Sequence, residues 1–433
     1  MLKTLRLLLP LYVALLAGGL VLLTALFALP TTQGMRRHAA ESARQIHAEG
    51  LWCQPLGCFL LQTDNMTDAW MMNMCICADT DHPLQAVMRM EHVVLPDSLH
   101  LPDYRYRDAL LHHAAVTPRA ELAPMHGYPR YWHGYQVVLR PLLYVMNYKQ
   151  MRLWHYGWLS VLLAAALWLL HRRLGTAYAA TLGLALLCFG AVFVPQTFQC
   201  STCFYLALGG LCAVLGWRRT EVSATCRIGL FFTLGALTAF ADFLTTPLLT
   251  LALPLVACIA LGIGHGMQPV RSIVQLSASW GGGYALMWSA KWPLAQVITG
   301  DGVIENALGQ AAKRMGYTIV YGGHEMPLRH LIARLWQQPA VQIAVIVVAA
   351  GLLLALTWGL LWCRRHRAVV RQHGWLLLVG LMPLLWFLVL LNHSVQHIFY
   401  TWRTWLPALW CLLLFAWHAR QASRTAHTAG SET

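Results

Sequence analysis

Long apolar runs separated by short polar connectors dominate the chain. Runs near 20 residues match the length that a helix needs to cross the hydrocarbon core at 1.5 Å per residue. The pattern predicts spanning helices over 8–29, 153–170, 176–194, 201–217, 227–242, 246–264, 272–291, 341–362, 374–391 and 402–418. The expected fold is an all-α polytopic membrane protein with about ten transmembrane helices, in which residues 1–433 form one membrane-embedded domain.

The first apolar run follows a short basic start with Lys3 and Arg6 and extends from Leu7 to Leu29. A signal-peptide core has only about 7 to 15 apolar residues and precedes a small-x-small cleavage pattern. No such pattern is evident here, so the run predicts an uncleaved first helix.

Arginines in the short connectors orient the predicted helices. The turns 195–200, 245–246 and 392–401 contain no Lys or Arg, whereas the alternate connectors and the tail are basic. The basic set is Arg172, Arg173, Arg218, Arg219, Arg227, Arg271, Arg364, Arg365, Arg367, Arg371, Arg420 and Arg424. By the positive-inside rule, both termini are expected to be cytoplasmic, in a plasma or inner membrane.

Two long segments, 30–152 and 292–340, then lie on the extracytoplasmic side. The first contains an amphipathic stretch from Arg36 to Glu49, and the second has helix-like stretches and a Gly-containing turn at Tyr321 to His324. Ordered loops of this size over a bundle often carry function, so the site is expected there.

Composition agrees with a membrane protein. Hydrophobic residues make up 58% and charged residues 11% of the chain, whereas an average soluble chain carries about 25% charged residues. The formal net charge of +14 raises the question of nucleic acid. The basic residues lie mostly in connectors, and no zinc-finger spacing, phosphate loop or basic helix with interleaved aromatics accompanies them, so nucleic-acid binding is not expected.

Asp64 and Asp68 are four residues apart, one helical turn, and are expected to face the same direction. Apolar Met71, Met72 and Met74 follow, which suggests a membrane-surface helix presenting a base or a metal ligand to a lipid-linked substrate. Capping of a helix start is the alternative role for these acids.

A segment from Tyr128 to Tyr135 combines aromatics with cationic groups. Tyr131 and Trp132 could pack a sugar ring, while Arg130 and His133 could hold an anion. An interfacial belt of Trp and Tyr would also explain the aromatics, although not Arg130.

Two further charged residues lie at the outer ends of predicted spans. Asp242 ends the fifth span, and an ionisable residue at membrane depth indicates function unless it is structurally paired. Lys291 ends the seventh span and could meet a phosphate group or snorkel to the interface. Within that span, Gly281 to Gly283 would let a neighbouring helix or lipid chain approach closely.

A last polar group follows the ninth span and consists of Asn392, His393, His397 and Arg403. The two histidines have the i, i+4 spacing that can ligate a metal, but no nearby Glu completes a zinc-protease pattern. Recognition of a charged or polyhydroxyl group is the favoured role, with a solvated polar turn as the alternative.

The predicted outer face also carries cysteines and glycosylation triplets. Cys53, Cys58, Cys75, Cys77, Cys200 and Cys203 are expected as disulfides or free thiols. Asn65-Met-Thr67 and Asn392-His-Ser394 fit the N-glycosylation triplet.

The predicted helix bundle, with its cytoplasmic N-terminus, an acid-bearing first outer loop and a later second outer loop, resembles the GT-C superfamily of membrane glycosyltransferases. The resemblance implies a catalytic acid in the first loop and polyprenyl-phosphate sugar donors. Asp64 or Asp68 would match the acid, since only Glu41 and Glu49 lie nearer the first span.

The function expected from this resemblance is transfer of a sugar from a polyprenyl-phosphate donor, with inversion, to a glycan, lipid or protein acceptor in the cell envelope. Arg130, Arg403 and Lys291 would stabilise the phosphate leaving group. No metal ligand is assigned, and dependence on a divalent cation stays open. The alternatives are a transporter or flippase of a lipid-linked or anionic solute, and another lipid-using transferase or ligase.

Overall fold

Helices account for most of the chain in the computed structural model, which describes residues 2–95, 105–115, 125–217, 222–321, 324–337, 342 and 367–431. The chain divides into two units, which are described separately. Unit 1 comprises Met1–Leu308 and Phe399–Thr404, and unit 2 comprises Gly309–Ile398 and Trp405–Thr433. That residues 1–433 form one domain stays a prediction.

The helices that begin in unit 1 are numbered along the chain. They are α1 Leu2–Ala28, α2 Gln33–Glu49, α3 Asn65–Ile76, α4 Pro83–Arg89, α5 Arg105–Ala115, α6 Gln136–Val145, α7 Tyr148–Leu174, α8 Thr176–Cys188, α9 Phe198–Leu215, α10 Ala224–Ala241, α11 Leu248–Ile263, α12 Pro269–Thr299 and α13 Val303–Met315. Strands β1 Glu91–Val93 and β2 Met125–Gly127 form a short antiparallel pair.

Five described helices are long and apolar enough to cross a membrane. They are Arg6–Ala28, Tyr148–Leu174, Phe198–Leu215, Ala224–Ala241 and Ile398–Arg424. A further pair, Arg367–His373 and Trp375–Val389, passes together but is bent by 60°. These helices support the prediction of a membrane-embedded, helical protein.

The other predicted spans differ from the helices of the structure in length or lie outside the described residues. Helices α8 and α11 are apolar but shorter than 18 residues. Helix α12 continues to Thr299, whereas the prediction ended this span at residue 291. The predicted span 341–362 lies outside the described residues, apart from residue 342.

Helices α10 and α12 pack at very short range because each has a glycine that lies against the backbone of the other helix. A Cβ on Gly283 would lie 2.1 Å from the carbonyl oxygen of Phe232, and a Cβ on Gly235 would lie 1.9 Å from that of Trp280. A Cβ on Gly281 or Gly282 would meet nothing within 4 Å. The predicted close approach of a neighbouring helix therefore occurs, and of the three consecutive glycines only Gly283 lies at the contact.

Helix α3 lies inside the first loop region rather than at a surface. Most of its side chains are buried, including Met71, Met72 and Met74, and they pack against helices α2, α5 and α6. The prediction of a membrane-surface helix is wrong, because protein elements cover the methionine face that would have met lipid.

Arg140 of helix α6 ties this region to the end of helix α1. Its buried guanidinium donates hydrogen bonds to the carbonyl oxygens of Leu26 at 2.9 Å and Leu29 at 2.6 Å, and to that of Cys75. The last carbonyl groups of a helix lack the usual partner four residues later in the chain, so Arg140 supplies side-chain donors at the end of α1.

Unit 2 contains the end of α13 and an antiparallel pair of β3 Thr318–Tyr321 with β4 His324–Pro327, where the sequence predicts a turn. Its further helices are α14 Leu328–Trp336, α15 Arg367–His373, α16 Trp375–Gly380, α17 Met382–Val389, α18 Leu391–Gln396 and the last helix, α20, Leu406–Ser431. The short helix α19, Ile398–Thr401, lies at the boundary of the units. Helix α16 packs on α20, and a Cβ on Gly380 would lie 3.4 Å from that of Cys411.

Candidate functional site

Asp64 begins helix α3 as its N-cap. Its carboxylate accepts hydrogen bonds from the backbone N–H of Thr67 at 2.9 Å and from the Thr67 hydroxyl at 2.8 Å. It also accepts one from the amide of Gln199 at 2.5 Å. The structure therefore assigns Asp64 the capping role that was the alternative to catalysis, because local donors occupy its oxygens.

Asp68 lies one helical turn later and faces the same way, toward the start of helix α9. The backbone N–H of Phe198, in the first turn of α9, has no acceptor within its own helix and donates to Asp68 at 3.0 Å. The Tyr148 hydroxyl also donates to Asp68, at 2.7 Å. Full burial raises the pKa of Asp68 to about 7, and the Tyr148 hydrogen bond and the Arg152 charge oppose that rise.

Arg152 organises the polar groups around this acid. Its guanidinium donates to Glu49 at 2.5 Å, to the Asn65 side-chain oxygen at 2.8 Å, to the Tyr148 hydroxyl at 2.8 Å and to the carbonyl oxygen of Gln196 at 2.8 Å. Tyr148 and Arg152 are one turn apart on α7, so both reach the same network. The sequence interpretation missed Arg152, although a cation at the start of a long apolar helix was a usable signal.

Three predicted acids lie near the first two turns of helix α9. Asp64 and Asp68 accept hydrogen bonds there from the Gln199 amide and the Phe198 N–H. Asp242 lies near the same helix, because the Thr245 hydroxyl that donates to its carboxylate also contacts the Cys203 thiol, at 3.5 Å.

Asp242 and Arg403 differ in how far their polar atoms are satisfied. Asp242 ends helix α10 and accepts from the N–H of Thr245 at 2.8 Å and from the Thr245 hydroxyl at 2.5 Å. Arg403 donates to the carbonyl oxygen of Phe399 at 3.2 Å, while its buried Nε has no partner among the described residues. Arg403 thus keeps a donor for an anion, whereas Asp242 stabilises a turn.

The segment from Tyr128 to Tyr135 forms an aromatic cluster with Phe243. The ring of Tyr131 lies 5.5 Å from that of Tyr128 and 5.7 Å from that of Phe243. His133 has a positive φ of 57°, and its ring nitrogens contact the Tyr135 hydroxyl at 3.1 Å and the Tyr128 carbonyl oxygen at 2.8 Å. Burial lowers the pKa of His133 well below its usual range, which disfavours the charged ring that an anion would need.

Trp132 and Lys291 are buried against each other. The indole N–H of Trp132 donates to the carbonyl oxygen of Met287 at 2.6 Å, and the Lys291 ammonium lies 5.3 Å from the Trp132 ring. Lys291 donates to the carbonyl oxygen of Val87 at 2.8 Å. Lys291 does not snorkel to an interface, because it is fully buried and bonded to the chain of the first loop region.

An apolar cavity of about 470 Å³ opens between helices α1, α6, α7, α9 and α10. Its few polar groups come from His155, Ser201, Thr202, Tyr205 and Tyr135, and the rest of its lining is apolar. Phe198 also lines it. The cavity therefore borders the residue whose N–H binds Asp68.

A polar cavity of about 410 Å³ lies on the loop side of unit 1 and is lined by Arg89, Arg130, Glu91, Asp301 and Asn306, among others. Arg130 donates to the Asn306 side chain at 2.9 Å, and Arg89 pairs with Asp301 at 3.4 Å. The Nε of Arg130 has no partner among the described residues. Arg89, Asp301 and Asn306 were not singled out from the sequence, because only the fold brings segments 200 residues apart together.

The remaining predicted residues lie in unit 2. Asn392 donates to the carbonyl oxygen of Thr318, and Arg314 lies 2.5 Å from Nδ1 of His393. The rings of His393 and His397 are 4.9 Å apart. The two histidines are adjacent as their spacing predicts, beside a cation that disfavours a bound metal ion.

The structure also bears on metal binding, disulfides and glycosylation. Within the described ranges, no group of three His, Cys, Asp or Glu side chains could hold a metal ion. The eleven described cysteines are free thiols. Asn65 and Asn392, the asparagines of the two glycosylation triplets, are 0% and 3% exposed, so neither is accessible for modification in this fold.

Comparison with known proteins adds no assignment. No family model, curated protein or solved structure matches this chain. The functional interpretation therefore depends on the geometry of these residues.

Proposed function

We propose that this chain is a multi-pass membrane glycosyltransferase that moves a sugar from a polyprenyl-phosphate-linked donor to an acceptor. One observation carries the proposal: the stretch 129–135 contributes to two cavities of opposite character. Gly134 and Tyr135 line the apolar cavity among the candidate spans, while Pro129 and Arg130 line the polar cavity. A donor with a hydrocarbon chain and a charged sugar-phosphate needs both environments.

The proposed topology has ten spans and cytoplasmic termini. The loop regions 30–152 and 292–340, which carry most of the polar groups described above, would then face the extracytoplasmic side. Its support is the arginine distribution along the sequence. The relation to the GT-C superfamily is part of the same proposal.

Asp68 is the proposed general base. The acceptor hydroxyl oxygen would attack the anomeric carbon of the donor, the hydroxyl proton would pass to the Asp68 carboxylate, and the bond between that carbon and the phosphate oxygen would break. The phosphate leaves with the bonding electrons. A carboxyl group with a pKa of about 7 is suited to accept a proton near neutral pH.

Arg130 and Arg403 are the proposed phosphate-binding groups. Each is an arginine with a buried Nε that no described residue accepts from. A buried guanidinium N–H without a partner costs free energy, and a phosphate oxygen would remove that cost. Lys291 and His133 are withdrawn from this role, because Lys291 is fully buried against Trp132 and the Val87 carbonyl and both ring nitrogens of His133 contact neighbouring polar groups.

Radiolabelled polyprenyl-phosphate sugar incubated with purified protein tests the reaction, because only a transferase forms a new covalent product. We expect Asp68→Asn to lower the rate by about a hundredfold or more, and Asp81→Asn, an exposed acid, to leave it unchanged. Retained transfer in Asp68→Asn would exclude it as the base. Movement of the donor across the bilayer without a product would instead support the flippase alternative.

A further inference from the structure

A third cavity, also polar, lies at the end of the helices opposite to the acids. It measures about 60 Å³ and is lined by residues from the ends of α7, α9, α10 and α11, including Arg173, Trp217, Arg227 and His265. None of these residues belongs to the site of the proposed reaction.

The two arginines come from different helices and are held by backbone carbonyls. Arg173 donates from one terminal nitrogen to the carbonyl oxygen of Trp217 at 3.0 Å, and Arg227 donates from one to that of Val222 at 2.5 Å. Each guanidinium has five N–H donors, so most of them remain for another acceptor. No described carboxylate forms an ion pair with either arginine.

A turn after helix α11 forms part of the lining of this cavity. The N–H groups of His265 and Met267 both bind the carbonyl oxygen of Gly262, at 3.0 and 3.1 Å. A Cβ on Gly262 would lie 2.3 Å from the terminal methyl of Met267, so a larger residue there would have to displace that side chain. The turn brings His265 to the same cavity as the two arginines.

We propose that this cavity binds a phosphate-type anion, presented by an anionic lipid headgroup or free in solution. Paired guanidinium groups bind phosphate oxygens through charge-assisted hydrogen bonds. Basic pockets between helices at a membrane surface are suited to anionic headgroups, and Trp217 supplies the interfacial aromatic that anchors such a position. The proposal is independent of the glycosyl-transfer reaction.

Native mass spectrometry of the full-length protein, released from nanodiscs of equal phosphatidylglycerol and phosphatidylcholine, tests the lipid source. We expect selective retention of phosphatidylglycerol, and a loss of about tenfold or more in Arg173→Gln/Arg227→Gln. Arg172→Gln/Arg271→Gln removes the same charge from two exposed arginines outside the cavity and should retain the lipid. The exposed single variant Arg173→Gln covers the case in which the double variant fails to fold.

Titration of inorganic phosphate tests the free source, read as the fluorescence difference between the wild type and Trp217→Phe. Saturation that requires Arg173 and Arg227, without lipid selectivity, assigns the site to free phosphate. Lipid retention that requires them assigns it to headgroups. If neither signal depends on these arginines, or if the charge-matched control loses binding equally, the proposal is wrong.

Discussion

Replacing Asp68 by Asn is expected to stabilise the protein at alkaline pH. Asp68 is fully buried, and burial raises its pKa from 3.8 to about 7. A folded state with the higher pKa holds the proton more tightly than the unfolded chain does, so ionisation opposes folding. The cost is absent below about pH 4, grows by about 1.4 kcal/mol per pH unit, and is complete above about pH 7.

The size of the stability change follows from the difference between the folded and unfolded pKa values of Asp68. A rise of about 3 pKa units corresponds to about 4 kcal/mol at pH 8, of which only about 2 kcal/mol is already present at pH 5. Asn cannot ionise but loses about 1 kcal/mol through altered hydrogen bonds with Tyr148 and the Phe198 N–H. We therefore expect Asp68→Asn to be more stable than the wild type by about 3 kcal/mol at pH 8 and by about 1 kcal/mol or less at pH 5.

The assay is thermal unfolding of the detergent-solubilised protein at pH 5, 6, 7 and 8. With about 2.1 cal/mol/K of unfolding entropy per residue, a chain of 433 residues shifts by about 3 °C for 3 kcal/mol. Comparing variant with wild type at each pH cancels the titration of other groups, and Asp81→Asn controls for loss of an exposed charge. A difference that does not grow with pH, or a destabilised variant at pH 8, would refute the reasoning.

Three substitutions, two of them paired with a glycine control, test the packing of unit 1 by the same unfolding assay. Gly134→Ala should lower the free energy of unfolding by about 1 to 3 kcal/mol, because its Cβ would lie 2.6 Å from a backbone carbonyl oxygen. Gly157→Ala is the control: its Cβ would meet nothing within 4 Å, so it should stabilise helix α7 by about 0.5 to 1 kcal/mol. Gly283→Ala should likewise destabilise and Gly281→Ala should not, and equal effects of the two would contradict the helix contact. Arg140→Met should cost about 3 kcal/mol or more, since it removes the charged donor from three carbonyl oxygens, and an unchanged unfolding temperature would contradict that role.

The Asp68 experiment also separates stability from activity. If Asp68 is the base, the Asn variant is stable at pH 8 and inactive, so its loss of transfer cannot be attributed to unfolding. A buried acid that opposes folding at neutral pH and serves the reaction is the trade-off expected of functional sites.

The apolar pattern alone determined where most helices lie. Described helices overlap nine of the ten predicted spans, because a run of about 20 apolar residues can satisfy its backbone in a membrane only as a helix. The same pattern did not reveal the 60° bend between His373 and Trp375, where the ninth predicted span begins, or that helix α12 extends to Thr299. Composition does not record where packing bends a helix or extends it beyond its apolar run.

For the candidate acids, too, the sequence predicted a local arrangement and the tertiary structure decided the roles. Sequence spacing correctly placed Asp64 and Asp68 on one side of a helix start, because one helical turn is a local property. Only the tertiary structure separated their roles, through Gln199 and Phe198, which lie about 130 residues away in the chain. Arg152 entered the site for the same reason, since its partners come from helices α2, α3 and α7.

Local periodicity therefore determined the membrane character of this protein, its helices and a short set of polar residues worth testing. The tertiary structure decided which of those residues are satisfied and which keep free donors or raised pKa values. Burial and hydrogen bonding depend on what other segments bring to the same place, and no local pattern encodes those partners.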